Sequence, residues 1–226
     1  MSWFLSYARS SIGAKQIMAV TGLGMLLFAI VHMLGHLGMF SGRDAYNSYA
    51  ATLQGLGALK WALRGGLVLI LLAHVGTAVL LVRANVAARP HKYAVQRYRR
   101  TSFAARTMAL TGLVVLAFIV YHLMHFTFGI VQPDYFQLPD GKGRPDAYGM
   151  FVMGFKSLPI LISYLVAVAL LCLHLTHGAS SWLQSLGLKH PKYDRALERL
   201  GPVLAVILIV GYFAPPLAVA FHVIEL

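Results

Sequence analysis

Five long stretches of apolar residues run along the chain, each separated from the next by a short polar segment. Each stretch reaches the length of about 20 residues that an α-helix needs to cross a bilayer. Backbone amides in hydrocarbon must be satisfied within one segment, and no stretch alternates between apolar and polar positions as membrane-barrel strands do. The pattern predicts an all-α membrane protein with five transmembrane helices in one bundle, at about residues 17–40, 62–82, 107–130, 157–183 and 201–224.

The composition agrees with a membrane bundle. The 226 residues are 58% hydrophobic and 12% charged, with a mean hydropathy of +0.69, whereas soluble domains carry about 25% charged residues. We expect one membrane domain over residues 1–226, whose first apolar stretch is too long for a signal peptide and is retained. The single cysteine, Cys172, excludes an internal disulfide and an iron–sulfur cluster held by this chain alone.

The basic residues give the chain a formal net charge of +12 and collect in alternate segments. Thirteen of the 19 lie in the N-terminal tail, the second loop and the fourth loop. By the positive-inside rule these segments face the cytoplasm, which places the N-terminus in the cytoplasm and the C-terminus outside. The thirteen are Arg9, Lys15, Arg83, Arg89, Lys92, Arg97, Arg99, Arg100, Arg106, Lys189, Lys192, Arg195 and Arg199.

The densest basic segment covers residues 91–100 and is expected to be a cytoplasmic hairpin. Its charges either fix topology and contact anionic lipid headgroups, or form a docking platform for a soluble partner. In the second case an acidic or mixed surface of the partner meets Arg97, Arg99 and Arg100. Nucleic acid is not expected as a partner, because the basic residues follow the alternation of the loops.

Seven of the ten histidines lie within the predicted helices, where ionisable side chains are costly and mark functional sites. Neutral imidazole is a ligand of haem iron, and two histidines from facing helices can hold one haem in a bundle. Four histidine-bearing helices therefore suffice for two haems. Each position has a plainer alternative, which is a hydrogen-bonded packing residue. The seven are His32, His36, His74, His122, His125, His174 and His177.

Depth in the membrane pairs the first and third helices. His32 lies 17 residues past Lys15, and His122 lies 16 residues past Arg106. With a rise of 1.5 Å per residue, both lie about 25 Å from the inner boundary, in the outer half of the membrane. An internal repeat supports the match, because a Thr-Gly-Leu sequence precedes each histidine with ten residues from Gly to His. The two copies are Thr21-Gly22-Leu23 and Thr111-Gly112-Leu113.

Depth also pairs the second and fourth helices, though less tightly. His74 lies nine residues before Arg83, about 13 Å from the inner side. His174 lies 18 residues past Lys156, about 27 Å from the outer side, so both histidines share the inner half. A glycine near each would let a flat macrocycle or a neighbouring helix approach the backbone. These glycines are Gly76 and Gly178.

The remaining histidines are His36, His125 and His177. Depth alone also allows a His36/His125 pair as ligands; otherwise these side chains pack, bond a haem propionate or contact a quinone. His36 and His125 are preferred for the quinone, because an outer haem without a nearby acceptor would have no evident use. Toward the inside, the groups able to bond a quinone carbonyl or a propionate are Ser11, Lys15 and Arg106.

Several motifs spread over essentially the whole chain carry a family resemblance. They are the opening Ser-Ser-Ile-Gly-Ala-Lys at residues 10–15 with Thr21-Gly22, His32-Met33 followed by residues 44–48, Tyr121-His122 after Gly112, and His174 with Gly178 and Leu186-Gly187. With these motifs the sequence resembles the five-helix, dihaem cytochrome b membrane anchors of succinate:quinone oxidoreductases and quinol:fumarate reductases. In that family, one histidine from each of the first four helices is an axial haem ligand.

The resemblance implies that His32 and His122 hold an outer haem b and that His74 and His174 hold an inner one. It implies an electron carrier in the cytoplasmic membrane, between an iron–sulfur subunit on the cytoplasmic side and a quinone, expected to be menaquinone. A flavoprotein subunit of the same complex would interconvert succinate and fumarate, and this chain would hold no dicarboxylate site. Higher oligomers of the complex are compatible with this arrangement.

One position departs from the family pattern. Some fumarate-reducing members carry a glutamate two residues before the helix-four ligand, as part of a proposed proton path, and here that position is Cys172. The direction of the reaction therefore stays open. Two alternative functions also remain: a cytochrome b subunit of another respiratory dehydrogenase, of the formate dehydrogenase or hydrogenase type, and a haem-free membrane transporter or scaffold.

Overall fold

The computed structural model describes residues 3–88 and 101–226, and all regular secondary structure in these ranges is helical. Five helices are long and apolar enough to cross a membrane, which confirms the five predicted ones. The basic segment at residues 91–100, with Arg97, Arg99 and Arg100, lies outside the described residues, as do Arg89 and Lys92. The α-helices in the described ranges are α1 Trp3–Arg9, α2 Ser11–Leu37, α3 Arg43–Gln54, α4 Ala58–Ala87, α5 Phe103–His122, α6 Ala147–Phe155, α7 Leu158–Ser185 and α8 Asp194–Ala220.

Four of the long helices, α2, α4, α5 and α8, begin earlier than hydropathy predicts, because their first turns contain polar or charged residues. α2 begins six residues before the expected position 17, and its N-cap is Ser10, whose hydroxyl accepts the Gly13 N–H at 3.0 Å. Ser102 caps α5 in the same way. A cap hydroxyl satisfies a backbone N–H that lacks a partner in the first turn. α8 begins at Asp194 instead of 201, since its charged first turns are invisible to an apolar pattern.

Packing places α7 at the centre of the bundle, in contact with α2, α5 and α8. α2 also packs against α4 and α8. The two remaining long helices lie at the edges: α4 packs chiefly against α2, and α5 packs chiefly against α7. Thr77 is the single buried residue of α4, and most leucines of this helix are exposed, as lipid-facing side chains are. The helices that carry the predicted ligand pairs, α2 with α5 and α4 with α7, make no comparably close approach.

Two short helices, α3 and α6, were not predicted from the sequence. They pack against each other at one end of the bundle, which we call the α3–α6 end. The opposite end carries α1 and the start of α2, and we call it the α1 end. A core of aromatic and aliphatic side chains fills the space beneath α3 and α6, with Val152 of α6 fully buried.

A buried polar network fastens α3 to the start of α6. Asn47 is 0% exposed, donates to the carboxylates of Asp146 at 2.8 Å and Asp140 at 3.3 Å, and accepts the Tyr148 N–H at 2.9 Å. A buried amide without such partners would cost free energy. Asn47 therefore explains why a short, weakly apolar helix holds its position.

Asp146 joins three groups in this network. Its carboxylate caps α6 by accepting the Gly149 N–H at 3.0 Å, and it forms an ion pair with Arg43. Burial alone would raise the pKa of Asp146, but the hydrogen bonds from Arg43, Asn47 and Gly149 outweigh it and hold the pKa below its ordinary value of 3.8. A carboxyl with a depressed folded-state pKa stabilises the fold above its unfolded pKa, and this stabilisation is lost as pH falls through the folded value.

We expect Asp146→Asn to lower the free energy of unfolding by about 2 kcal/mol at neutral pH, because a helix cap and a half-buried ion pair are weakened. The difference from the parent should shrink as pH falls below about 4, where the carboxyl of the unfolded chain becomes protonated, and it should vanish below the lower pKa of the folded state. Detergent unfolding curves between pH 3 and pH 8 measure both effects. Asp134→Asn makes the same charge change at an exposed position, and equal stability of the two variants at neutral pH would contradict the assignment.

Candidate functional site

The structure separates the helix histidines into two groups along the bundle. The group nearer the α3–α6 end comes from α2, the end of α5 and the π-helical turn Leu123–Thr127 that follows it; the other group comes from α4 and α7. The first consists of His32, His36, His122 and His125, and the second of His74, His174 and His177.

His32 and His122 face each other across the bundle, as depth predicted. Their ring centres are 5.8 Å apart and the ring planes lie at 85°. Two imidazoles on one metal, each with its nitrogen about 2 Å away, have ring centres on the order of 6 Å apart. His36 lies beside this pair: its Nε2 is 3.2 Å from Nε2 of His32, and its Nδ1 is 3.0 Å from the hydroxyl of Tyr46. One of the two Nε2 atoms must donate the hydrogen in that bond, so the protonation of His32 is linked to that of His36.

His125 is occupied on both ring nitrogens and is 2% exposed. Its Nε2 lies 3.1 Å from Oε1 of Gln132, which can only accept, so Nε2 carries the hydrogen. Nδ1 of the neutral ring therefore accepts from the Tyr164 hydroxyl at 2.9 Å. This leaves no nitrogen of His125 for a metal, and it favours His122 over His125 as the ligand from this part of the chain.

Tyr164 transmits this arrangement to His122. Because its hydrogen goes to His125, the Tyr164 oxygen accepts from Nδ1 of His122, at 3.4 Å. His122 then carries its hydrogen on Nδ1 and has an unprotonated Nε2, without a hydrogen-bond partner among the described residues. No sequence pattern indicates Tyr164 and Gln132, because only the packing of α7 and of the loop after α5 brings them to the histidines.

His74 has the same tautomer. Its Nδ1 lies 3.2 Å from the carbonyl oxygen of Met18 and 3.2 Å from Oγ1 of Thr21, both on α2. A carbonyl oxygen cannot donate, so Nδ1 carries the hydrogen and Nε2 keeps its lone pair.

His174 repeats the arrangement against α5. Its Nδ1 lies 3.2 Å from Oγ1 of Thr111, and the backbone of Met108 lies beside the ring. The Thr111 hydroxyl donates to its own helix, to the Thr107 carbonyl at 3.0 Å, so its oxygen accepts from the ring.

These residues fit a haem better than a bare metal ion. Within the described ranges no three His, Cys, Asp or Glu side chains converge on a point, and a bare ion needs several protein ligands. A haem needs only axial ligands, and His74, His122 and His174 each present an unprotonated Nε2. The wider spacing of the ligand-bearing helices, and the open space beside Gly76 and Gly178, suit a flat macrocycle.

The predicted contacts at the α1 end lie on the surface. Ser11, Lys15 and Arg106 are exposed, and the Arg106 guanidinium lies 5.8 Å from the ring centre of Phe103. A cavity of about 420 Å³ opens near them between α1, α2 and the end of α7. The sequence did not indicate its polar lining, which is Tyr7, Gln16 and Thr21.

We expect Tyr164→Phe to lower the free energy of unfolding by about 1–2 kcal/mol, because buried Nδ1 of His125 loses its donor. Tyr121→Phe is the matched control, since the Tyr121 hydroxyl has no hydrogen bond among the described residues. Unfolding of the detergent-solubilised chain by added SDS measures the difference. Equal destabilisation of the two variants would show that the Tyr164 hydroxyl does not hold His125.

No protein-family model, curated protein or solved structure matches the chain. The function is therefore inferred from the placement and protonation of the histidines.

Proposed function

We propose that this chain is a haem-bearing membrane anchor that carries electrons between an iron–sulfur subunit and a membrane quinone, in a succinate dehydrogenase or fumarate reductase complex. One observation carries the proposal: His74, His122 and His174, on three helices and at two depths, are held by neighbouring groups in tautomers that leave Nε2 free, and His32 on a fourth helix faces His122. A structural histidine in hydrocarbon would be expected to use both nitrogens in hydrogen bonds, as His125 does.

In this proposal His32 and His122 hold one haem b and His74 and His174 hold the other. A haem supplies an iron that accepts and returns one electron without a change of ligands. The protein's part is to fix the imidazoles, exclude water with apolar helices and keep two such centres in sequence along the bundle. Tyr164 orients His122 by accepting its Nδ1 hydrogen.

The orientation in the membrane follows from charge. The α1 end carries the excess of basic residues and would face the cytoplasm, and the α3–α6 end would face outward. The iron–sulfur subunit, with the flavoprotein subunit behind it, would dock at the α1 end, near His74 and His174. In this orientation the basic segment at residues 91–100 would also face the cytoplasm.

The quinone, for which we propose menaquinone, needs hydrogen-bond donors near a haem. At the α3–α6 end His36 and His125 each have both ring nitrogens in hydrogen bonds, so a quinone there would have to displace one. The cavity at the α1 end instead offers the Gln16 amide N–H group, whose side-chain oxygen accepts from the Tyr7 hydroxyl, and it reaches Thr21, which contacts His74. The cavity supports a quinone beside Ser11 and Lys15 over the outer pair that the sequence favoured.

A reduced-minus-oxidised visible spectrum of the purified chain tests the proposal. We expect two b-type haem components, and we expect His32→Ala and His122→Ala to remove the same one, because they are ligands of one iron. His74→Ala and His174→Ala should remove the other. His190→Ala is the control, since that exposed histidine lies outside the bundle, and it should keep both components. A parent without haem, or loss of one shared component in His32→Ala and His74→Ala, would refute the assignment.

A second prediction concerns the partner. Glutamine at Arg97, Arg99 and Arg100 should release the soluble subunits at lower salt than the parent requires, because steering and rim contacts between opposite charges are screened by salt. Co-purification of the subunits through a rising salt series measures this. Glutamine at Lys60, Arg64 and Lys156 is the matched control at the opposite end. If the triple variant retains the soluble subunits as firmly as the parent does, the basic loop has a topological role only. If a formate dehydrogenase or hydrogenase co-purifies with the chain, that enzyme replaces the proposed complex.

A further inference from the structure

A repeated segment occurs once in α2 and once in α5. Residues 18–23 read Met-Ala-Val-Thr-Gly-Leu and residues 108–113 read Met-Ala-Leu-Thr-Gly-Leu, so the copies differ at one position. We call these two stretches the Thr-Gly segments. In the sequence these segments indicate that His32 and His122 lie at the same depth, because each histidine lies ten residues after the glycine of its segment.

Each Thr-Gly segment contacts a histidine of the next transmembrane helix along the chain. The α2 copy contacts His74 of α4, with the Met18 carbonyl and the Thr21 hydroxyl oxygen both at 3.2 Å from Nδ1. The α5 copy contacts His174 of α7 through Thr111 and the backbone of Met108. The same two positions of the repeat therefore make the same contacts in both halves of the bundle.

The glycine of each segment lies against the same ring. A Cβ on Gly22 would lie 3.2 Å from Cε1 of His74, and a Cβ on Gly112 would lie 3.3 Å from Cε1 of His174. Such contacts are tighter than ordinary van der Waals packing, so an alanine would push the imidazole away. Each segment therefore has two roles. Its carbonyl and hydroxyl oxygens accept the hydrogen on Nδ1, and its glycine leaves room for the imidazole ring against the helix backbone.

We infer that the Thr-Gly segments position the two ligands of the haem held by His74 and His174. This inference rests on the proposed function and adds a crossed arrangement to it. The helices that supply ligands to one haem, α2 and α5, set the tautomer and ring orientation of the ligands of the other. Thr21 and Thr111 are positioning residues, since neither touches the iron.

Loss of the threonine acceptor has a defined chemical effect. An Nδ1–H that donates to oxygen makes the imidazole a more basic ligand and holds its ring plane, and second partners of this kind contribute 10–100-fold to metal affinity. A more basic ligand favours the oxidised iron. Removing the acceptor should therefore raise the reduction potential of that haem, loosen its retention and alter the electron paramagnetic resonance signal that depends on ring orientation.

The experiment uses Thr21→Val and Thr111→Val in the complete complex, with potentiometric titration and electron paramagnetic resonance of each haem. We expect both variants to raise the potential of the same haem, the one removed by His74→Ala, and to transfer it to a haem-accepting protein about tenfold faster. Thr21→Ser and Thr111→Ser keep the oxygen and should restore parental values. Thr107→Val is the matched control, because the Thr107 hydroxyl bonds only carbonyls of its own helix.

The outcomes separate this inference from the proposed function. A parent without haem refutes both. The crossed arrangement alone is refuted if the parent has two normal haems and the valine variants change the potential of the haem held by His32 and His122. It is also refuted if the valine variants change the potential of neither haem. If a valine variant does not fold, Gly22→Ala and Gly112→Ala provide the second test, and they should disturb the resonance signal of the same haem without removing the acceptor. An unchanged signal in folded alanine variants would also overturn the inference.

Discussion

The interior of this bundle depends on the fact that an imidazole in hydrocarbon has no water to bond. Each ring nitrogen must find a partner in the protein or in a bound metal, because an unpaired polar group at this depth costs several kcal/mol. His125 meets this demand with protein groups alone. His74, His122 and His174 meet half of it, with Nδ1 satisfied by a neighbouring helix. Within the described ranges the Nε2 atom of each of these three rings has no such partner, and the proposed haem ligation uses this atom.

The two ends of the bundle differ in how their helices are packed. At the α3–α6 end, Asn47 and Asp146 lock short helices over an aromatic core, and the hydrogen bond between His36 and Tyr46 ties α3 to the histidines below. This end carries a cavity of about 290 Å³ beside Arg43 and Asp146. The α1 end is more open, with a cavity bordered by Tyr7 and Gln16, which suits the entry of a membrane-soluble reactant.

The sequence was sufficient for the features that depend on a single helix. Length and apolarity predicted all five long helices, and rise per residue was enough to expect that His32 and His122 would approach each other. It was insufficient where distant segments meet. α3 and α6 are fastened by bonds between residues about 100 positions apart, such as that of Asn47 with Asp146, and no local pattern encodes them.

The hydrogen-bond partners of the histidines were missed for a related reason. Depth follows from counting residues, whereas contact also requires the rotation of each helix about its axis and the identity of its neighbour. Tyr164 lies 39 residues from His125 along the chain, and only the packing of α7 against α5 joins them. The Thr-Gly repeat was visible, but its contact with the following helix required the structure.

The crossed contacts also bear on how the chain is assembled during synthesis. α2 and α4 are consecutive in the membrane and make the contact between the first Thr-Gly segment and His74 without help from later helices. α5 and α7 do the same for His174. Each half can therefore leave the translocon as a helical hairpin whose histidine is already in its final tautomer. Joining of the two hairpins would then bring together two histidines whose tautomers are already set, and a haem of the kind proposed would enter a site that the fold had already organised.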